Sequence, residues 1–376
     1  MPPATVRRLL NNLAIEWIES GFEPNIVIGA LWSVNRRMKR SRWKFVLIGL
    51  AAFSSPNPIF PQEPQDPKVI DAARKEGEVV WYTTMSLDQS KQFADHFHNK
   101  YPFVKPTVFR AGGGSLLNKI LIEAKAGRHN WDVAQGTADM VPPLMERNLF
   151  APYISSERKM IDDDLKDGKG YWTSVYVNPV VLGYNVKMVK AEDLPRTYDD
   201  LLGARWKGRK ISIDDNYFTF LQGLIGAWGR EKTVAYFKKL ASQDPVVMGG
   251  STVRVQLAAA GEFPLVIAYA PIIQNYTARG APVDWVPLEP VIVSVTTINL
   301  GYKARHPNAA KLFIDFSLSK EGQEKLWDFQ RVPARRDVEP KPPRLFRGYR
   351  RFVVHPEGYK SYDETIKLYN EILKVR

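Results

Sequence analysis

From Val69 onward, short apolar runs alternate with stretches in which apolar residues recur every three or four positions. That is the texture of strands alternating with helices. Val79-Val80-Trp81-Tyr82 reads as a buried strand, and Ser86-Leu87-Asp88-Gln89 then has capping-box spacing ahead of Phe93, Phe97 and Tyr101. Val108-Phe109 ends a second strand, and Gly112-Gly113-Gly114-Ser115 opens a helix with Leu116, Leu117, Ile120, Leu121 and Ala124 on its apolar face and Gly127 as its stop. Asp132-Val133-Ala134 is a third strand, Gln135-Gly136-Thr137 a turn, and Met140, Leu144 and Met145 a helix face. Further on, Thr197-Tyr198-Asp199-Asp200 caps a helix, and Lys210-Ile211-Ser212-Ile213 and Leu265-Val266-Ile267-Ala268 are strands. Phe218 to Trp228, Thr252 to Ala260 and Pro271 to Arg279 are helices, each followed by a glycine. Two longer β-branched runs, Val175 to Asn185 and Val291 to Leu300, suit strands that cross between lobes. The pattern predicts α/β lobes with mainly parallel sheets flanked by helices.

The first sixty residues have a different texture. A basic cluster, Arg36 to Lys44, precedes the uncharged run Phe45 to Phe53, and Ser54, Ser55, Pro56 and Pro58 follow. A positive end, a short apolar core and a small-residue exit form the layout of a secretory signal peptide. The apolar run is too short to span a bilayer, which needs about 20 residues. Residues 38–60 are therefore expected to be signal peptide and linker, directing the protein to the periplasm. Met38 reads as the start, with 1–37 an extension ahead of it.

Charge changes the picture only once it is located. The 376-residue chain carries a formal +13, which invites a nucleic-acid reading. Residues 1–60 hold 8 basic and 3 acidic residues, and 331–376 hold 12 and 6, including Arg344, Arg347, Arg350 and Arg351. The remaining body has 33 basic and 31 acidic residues, so it is nearly neutral and the expected partners exclude nucleic acid. The basic tail is expected at the surface, facing membrane lipid or a permease. Cysteine is absent, which excludes disulfides, thiolate metal sites and cysteine nucleophiles.

In α/β sheets ligands bind beyond the carboxyl ends of strands, where helix N-termini present free N–H groups. The strand-to-helix junctions supply Thr84, Ser86, Gly113, Gly114, Ser115, Gln135, Thr137, Asp215, Asn216 and Tyr269 as candidate ligand-binding residues. Asn178 in the first crossing run, and the cations Arg110 and Arg254, complete the set. Capping alone also favours small hydroxyl and amide residues at helix starts. His96 and His98 point apart on a helix and make a poor metal pair, and Asp162-Asp163-Asp164 reads as a solvated loop. Neither a Gly-x-Ser-x-Gly elbow nor a His-Glu-x-x-His motif is present, so no catalytic residue, metal ligand or cofactor is assigned.

Several stretches in order resemble the family 1 extracellular solute-binding proteins of ABC importers, particularly the ferric-iron-type periplasmic group. They are Gly77 to Thr83, Phe109 to Ser115, Ala126-Gly127 with Trp131-Asp132-Val133, Val181 to Asn185, Gly280 to Val283, His306 to Phe316 and Ser319 to Gln323. The match covers roughly residues 68–340. The resemblance implies a two-lobed periplasmic-binding-protein fold with a ligand cleft between the lobes and closure by hinge motion. Lobe 1 is expected at 61–179 plus 295–335 and lobe 2 at 180–294, with 336–376 a basic C-terminal helical tail packing on both. It also implies a monomeric, non-enzymatic protein that delivers a small solute to an inner-membrane ABC permease. Iron-binding relatives use adjacent tyrosines where this chain reads Ala268-Tyr269-Ala270, and some use a histidine where it has Met85-Ser86. Ferric iron prefers several hard oxygen ligands. An anionic or zwitterionic organic solute, or an oxyanion, is therefore favoured over iron. Ferric-iron transport and a periplasmic hydrolase are the alternatives.

Overall fold

A computed structural model describes residues 66–215 and 218–375. The expected extension and signal peptide, and Asn216, lie outside the described residues. The first half contains α1 (Pro67–Glu76), β1 (Glu78–Thr83), α2 (Leu87–Lys100), β2 (Lys105–Arg110), α3 (Gly113–Lys125) and β3 (Val133–Thr137). A short helix α4 (Val141–Met145), β4 (Phe150–Ala151) and the long β5 (Thr173–Asn185) follow. The second half contains β6 (Ile211–Ile213), α5 (Phe218–Trp228), α6 (Arg230–Ala241), β7 (Val246–Val247), α7 (Ser251–Ala260), β8 (Leu265–Tyr269), α8 (Ala270–Ala278) and β9 (Val283–Val286). Then β10 (Val291–Gly301) returns to the first half, before α9 (Pro307–Leu318), α10 (Lys320–Lys325), β11 (Val332–Pro333), β12 (Arg351–Val354) and α11 (Tyr362–Leu373).

Strand periodicity sorts the core of the first lobe onto two faces, because successive side chains point to opposite sides of a sheet. Val79 and Trp81 of β1 join Phe93, Phe97, Phe313 and Phe316 from α2 and α9. Tyr82, one position on, faces the other way, among Leu116, Ile120, Met140 and Leu144 from α3 and its neighbours. The second lobe has one larger core, to which β12 and α11 contribute Val353, Val354, Tyr369 and Ile372.

The strands run in the order β2-β1-β3-β10-β5-β8-β6-β7. The outer pairs are parallel: β1 with β2 and β3, and β6 with β7 and β8. The two crossing strands, β10 and β5, pair antiparallel with each other and with β3 and β8. This is the two-lobed α/β architecture that the strand–helix alternation pointed to.

Local readings differ in three places. Gln135 to Thr137 is the last part of β3 rather than a turn, because β10 pairs with it up to Thr137↔Thr296. Thr197-Asp200 opens a 3-10 turn, Asp199–Leu202, in which the Asp200 carboxylate accepts the backbone N–H of Arg196 and Thr197 (2.8 Å each). Ser86 does precede α2, but its side chain makes no capping bond.

The tail's arginines are engaged with the protein itself. Arg351 reaches Asp162 (2.8 Å) and Asp164 (3.1 Å), Arg344 reaches Asp284 (2.6 Å), and Arg350 reaches Glu289 (2.9 Å). The run Asp162 to Asp164 is thus a docking point for the tail as well as a loop, because its alternate carboxylates grip one guanidinium. β12 adds in parallel to β10 over Val291 to Ser294. The turn Pro356–Ser361 then reaches the first lobe, where Trp172 Nε1 donates to Glu357 (3.2 Å). From there α11 packs back onto α5 and α6.

Candidate functional site

The register of the crossing strands locates the cleft. β3 arrives from one side and ends at Thr137, opposite Thr296 of β10. β8 arrives from the other and ends at Tyr269, opposite Val180 of β5, which itself lies opposite Ile292 of β10. Thr296 and Ile292 are four residues apart, so the two carboxyl ends face each other across about 13 Å of strand. Between them, on the floor, Ser294 pairs with Asn178. Both ends are places where a parallel strand gives way to a helical turn, with backbone N–H groups unpaired within it.

The lobe 1 wall is open and polar. Thr137 is exposed, and α3 begins close by: a Cβ on Gly113 would lie 3.3 Å from the Thr137 hydroxyl oxygen. Gly114 and Ser115 are exposed in the first turn of α3. Thr84 and Ser86 are half-buried beyond β1, and the Thr84 N–H donates to the Gln135 carbonyl (3.1 Å). Arg110, at the end of β2, is exposed and its Nε donates to the Met85 carbonyl (3.3 Å). Asp139, in the 3-10 turn Ala138–Met140, is half-buried. Burial raises its carboxyl above the ordinary range, against the opposing pull of a hydrogen bond with Thr137. The sequence reading missed Asp139; its spacing of two from Thr137, just past a strand end, was the available signal.

The lobe 2 wall is closed by an internal ion pair. Arg254 is 0% exposed. Its guanidinium donates to the Ile267 carbonyl (2.7 Å), to Asp214 (2.8 Å) and to Ser251 (3.2 Å). It therefore ties α7 to the ends of β6 and β8 instead of standing at the cleft surface. Asp215, next along, is half-buried, and its carboxyl is raised by desolvation and by the adjacent charge of Asp214. Tyr269 is half-buried and hydrogen-bonded to Ser294, and burial pushes its phenol up to about 12, with Asp214 and Asp139 adding to the rise. The electrostatic reach of Asp139 to Tyr269 spans the two lobes.

Gln135 is the candidate that folding turns inward. It is 1% exposed, and its Oε1 accepts from the Thr83 hydroxyl (2.8 Å) inside the β1–β3 pair. Thus Thr137, Gly113 and Tyr269 converge near the floor at Asn178, while Gln135 and Arg254 are internal.

The model of the bacterial extracellular solute-binding protein family matches residues 133–351, which includes both crossing strands, the end of β3 and the lobe 2 wall. The chain belongs to that family. This solute-binding protein is 23% identical over 267 residues to an Fe(3+)-binding periplasmic protein of Serratia marcescens, covering 68% of this chain and 78% of the relative. Its fold is shared with iron-bound HitA from Pseudomonas aeruginosa (TM-score 0.69, 18% identity, 78% of this chain and 99% of that one). It also resembles the periplasmic binding protein AfuA from Actinobacillus pleuropneumoniae, solved with fructose-6-phosphate (TM-score 0.65, 26% identity, 80% of this chain and 99% of that one). These relatives are transport-associated binding proteins and not enzymes, and they imply a periplasmic location for this solute-binding protein.

Three of the motifs that carried the resemblance, those around Asp132, His306 and Gln323, are scaffold. Asp132 accepts from Val80 N–H (2.8 Å) and His306 N–H (3.0 Å), fastening the start of α9 to the sheet. Glu76 receives the N–H groups of Asn308 (2.9 Å) and Ala309 (2.7 Å) at the same helix start. Gln323, 0% exposed, donates to the Val175 carbonyl (2.9 Å) and accepts from Ala334 N–H (2.9 Å).

Proposed function

We propose that this periplasmic solute-binding protein of an ABC transporter captures a small anionic or zwitterionic organic solute, closes its lobes over it and hands it to the permease. The carrying observation is the convergence of the β3 and β8 carboxyl ends, Thr137 and Tyr269, on the shared floor of Ser294 and Asn178. Free N–H groups at the start of α3 and the exposed Arg110 suit the anionic part of such a solute. The fructose 6-phosphate bound by AfuA, a structural neighbour at 26% identity, is itself a small anionic organic solute.

Ferric iron is the second reading, favoured by the Fe(3+)-binding Serratia relative and by iron-bound HitA. The donor set here is thin for it. Tyr269 stands without an adjacent tyrosine, and among the described residues no group of three or more His, Asp or Glu is placed to hold a metal ion. Fe(III) needs several hard oxygen donors.

A thermal-shift panel of phosphate, sulfate, phosphonates, sugar phosphates, amino acids, thiamine, polyamines and Fe(III) tests both readings. An organic solute at a hundred times its Kd should add about 2.7 kcal/mol of stability without turnover. A shift with Fe(III) alone would favour the iron reading, and an unmoved melting curve throughout would defeat solute capture.

A further inference from the structure

The end of lobe 1 remote from the cleft carries a surface that solute capture does not use. β3 ends at the cleft with Thr137 opposite Thr296, so the antiparallel β10 runs away from it, to Gly301 opposite Phe150. α3 likewise starts beside Thr137, and its thirteen residues carry Lys125 about 20 Å further on. There α3, the loop after α4 and the loop after β10 enclose a depression of about 730 Å³. Lys125, His129, Arg147 and Lys303 line it together with Ile122 and Tyr302, and no carboxylate does. Ile122 and Tyr302 are 68% and 60% exposed. Arg128 and Arg305, close by in the chain, are exposed too. Neighbouring carboxylates are committed elsewhere: Glu123 to Lys119 (2.6 Å) and Asp132 to His306 (2.9 Å). Glu146 is exposed next to Arg147 but lies outside the lining. Among the described residues, no salt bridge involves Lys125, Arg128, Arg147, Lys303 or Arg305. Helix polarity accounts for a lysine at the end of α3. It does not account for Arg147 and Lys303, which come from two other segments.

We infer that this face docks on a bilayer surface through anionic phospholipid headgroups. Five Lys and Arg side chains without salt bridges fall in the cluster size, about 4–8, that anionic lipid attracts. An exposed tyrosine and an exposed isoleucine among them suit the headgroup boundary, where apolar carbon lies beside charge. A stable protein partner needs about 800 Å² on each side with an apolar centre, which two exposed apolar side chains do not supply. The depression instead offers a headgroup phosphate a concave seat with cations from three segments around it. The C-terminal tail does not compete for that role, because Arg344, Arg350 and Arg351 are answered by carboxylates of the body. Because the face is remote from the cleft, docking there leaves the cleft mouth clear for solute.

The test is co-sedimentation of the full chain with vesicles of phosphatidylcholine alone and of phosphatidylcholine with an equal part of phosphatidylglycerol. The anionic vesicles should bind at least tenfold more tightly, and added salt should weaken that binding. The triple variant Lys125→Ala/Arg147→Ala/Lys303→Ala should lose at least tenfold in affinity for them. A charge-matched control, Lys187→Ala/Lys207→Ala/Lys238→Ala, removes three exposed lysines of lobe 2 and should lose less than about threefold. Residues 1–60, with their own basic and apolar runs, are the same in every variant, so their contribution cancels in the comparison. Melting curves verify that both variants fold. Equal binding to the two kinds of vesicle, an undiminished lobe 1 variant, or an equal loss in the lobe 2 control would overturn the inference. So would displacement from vesicles by glycerol 3-phosphate at the concentration of lipid phosphate, which would make the depression a site for a free phosphate. The experiment needs no solute, so its failure leaves solute capture standing, and a blank solute panel leaves this inference standing.

Discussion

The two walls of the cleft are built from the same kinds of residue and use them differently. At the end of β3, the hydroxyl of Thr137 and the first turn of α3 are exposed, and the nearby cation, Arg110, lies at the surface. At the ends of β6 and β8, the cation is Arg254, fully buried and bonded to Asp214 and the Ile267 carbonyl. One wall leaves its polar groups available, whereas the other consumes most of them in holding its own strands and helix together. Tyr269 is the exception on lobe 2, because its contact with Ser294 places the phenol over the hinge floor. A strand-to-helix junction is therefore not a binding site by virtue of composition; the depth of its charged residue decides.

The largest expected effect would break this contrast at its buried end. Arg254→Leu leaves the Asp214 carboxylate, 5% exposed, without its guanidinium, and unfolding free energy should fall by about 3–5 kcal/mol. A loss below about 1 kcal/mol in denaturant melts would mean that the pair is not what closes the lobe 2 wall.

A second buried carboxylate sharpens the point. Asp315 in α9 accepts a hydrogen bond from the Tyr153 hydroxyl (2.7 Å) but, among the described residues, has no guanidinium in an ion pair, and desolvation raises it to about 6. Its proton is held more tightly in the folded state than in the unfolded chain. Its contribution is therefore greatest at low pH and is lost as pH rises from about 4 to 6. Relative to Asp315→Asn, the native protein should lose about 2–3 kcal/mol of stability across that window. A flat difference between the two proteins would show that this carboxylate is not desolvated.

On the binding side, Tyr269→Phe should cost the solute roughly tenfold in affinity while changing stability by less than about 1 kcal/mol, since only the hydroxyl is removed. Titration of the ligand found in the panel, with a melt of the empty variant, separates those effects. The smallest stability change belongs to Arg110→Ala, within about 0.5 kcal/mol, because the side chain is exposed and makes one long hydrogen bond. Its affinity loss should nevertheless exceed its effect on the melt. Should Arg110→Ala destabilise as much as Arg254→Leu, the contrast between the walls collapses.

Much of the scaffold was legible before folding, for particular reasons. Phe218 to Trp228 matched α5 residue for residue, because its apolar run is long and Gly229, at φ +87, stops it sharply. The crossing strands were legible because a strand flanked by strands on both edges and covered on both faces reads as a continuous β-branched run, and β10 is buried throughout. Gly183 and Gly322 stood within the resembling motifs, and packing explains them: a Cβ would lie 2.7 Å from Ile273 Cδ1 in the first and 2.1 Å from the Phe316 carbonyl oxygen in the second.

The candidate site was legible only in outline. Sequence alone determined which junctions exist and that their side chains are small, polar or charged, because helix starts and strand ends follow local periodicity and capping chemistry. Only the tertiary structure decided that Gln135 and Arg254 turn inward, that Asp139 comes within electrostatic range of Tyr269, and that the tail's arginines meet acidic residues of the body. Those outcomes depend on strand register and on which charges burial brings together. Both arise between residues far apart in the chain, where no local pattern carries them.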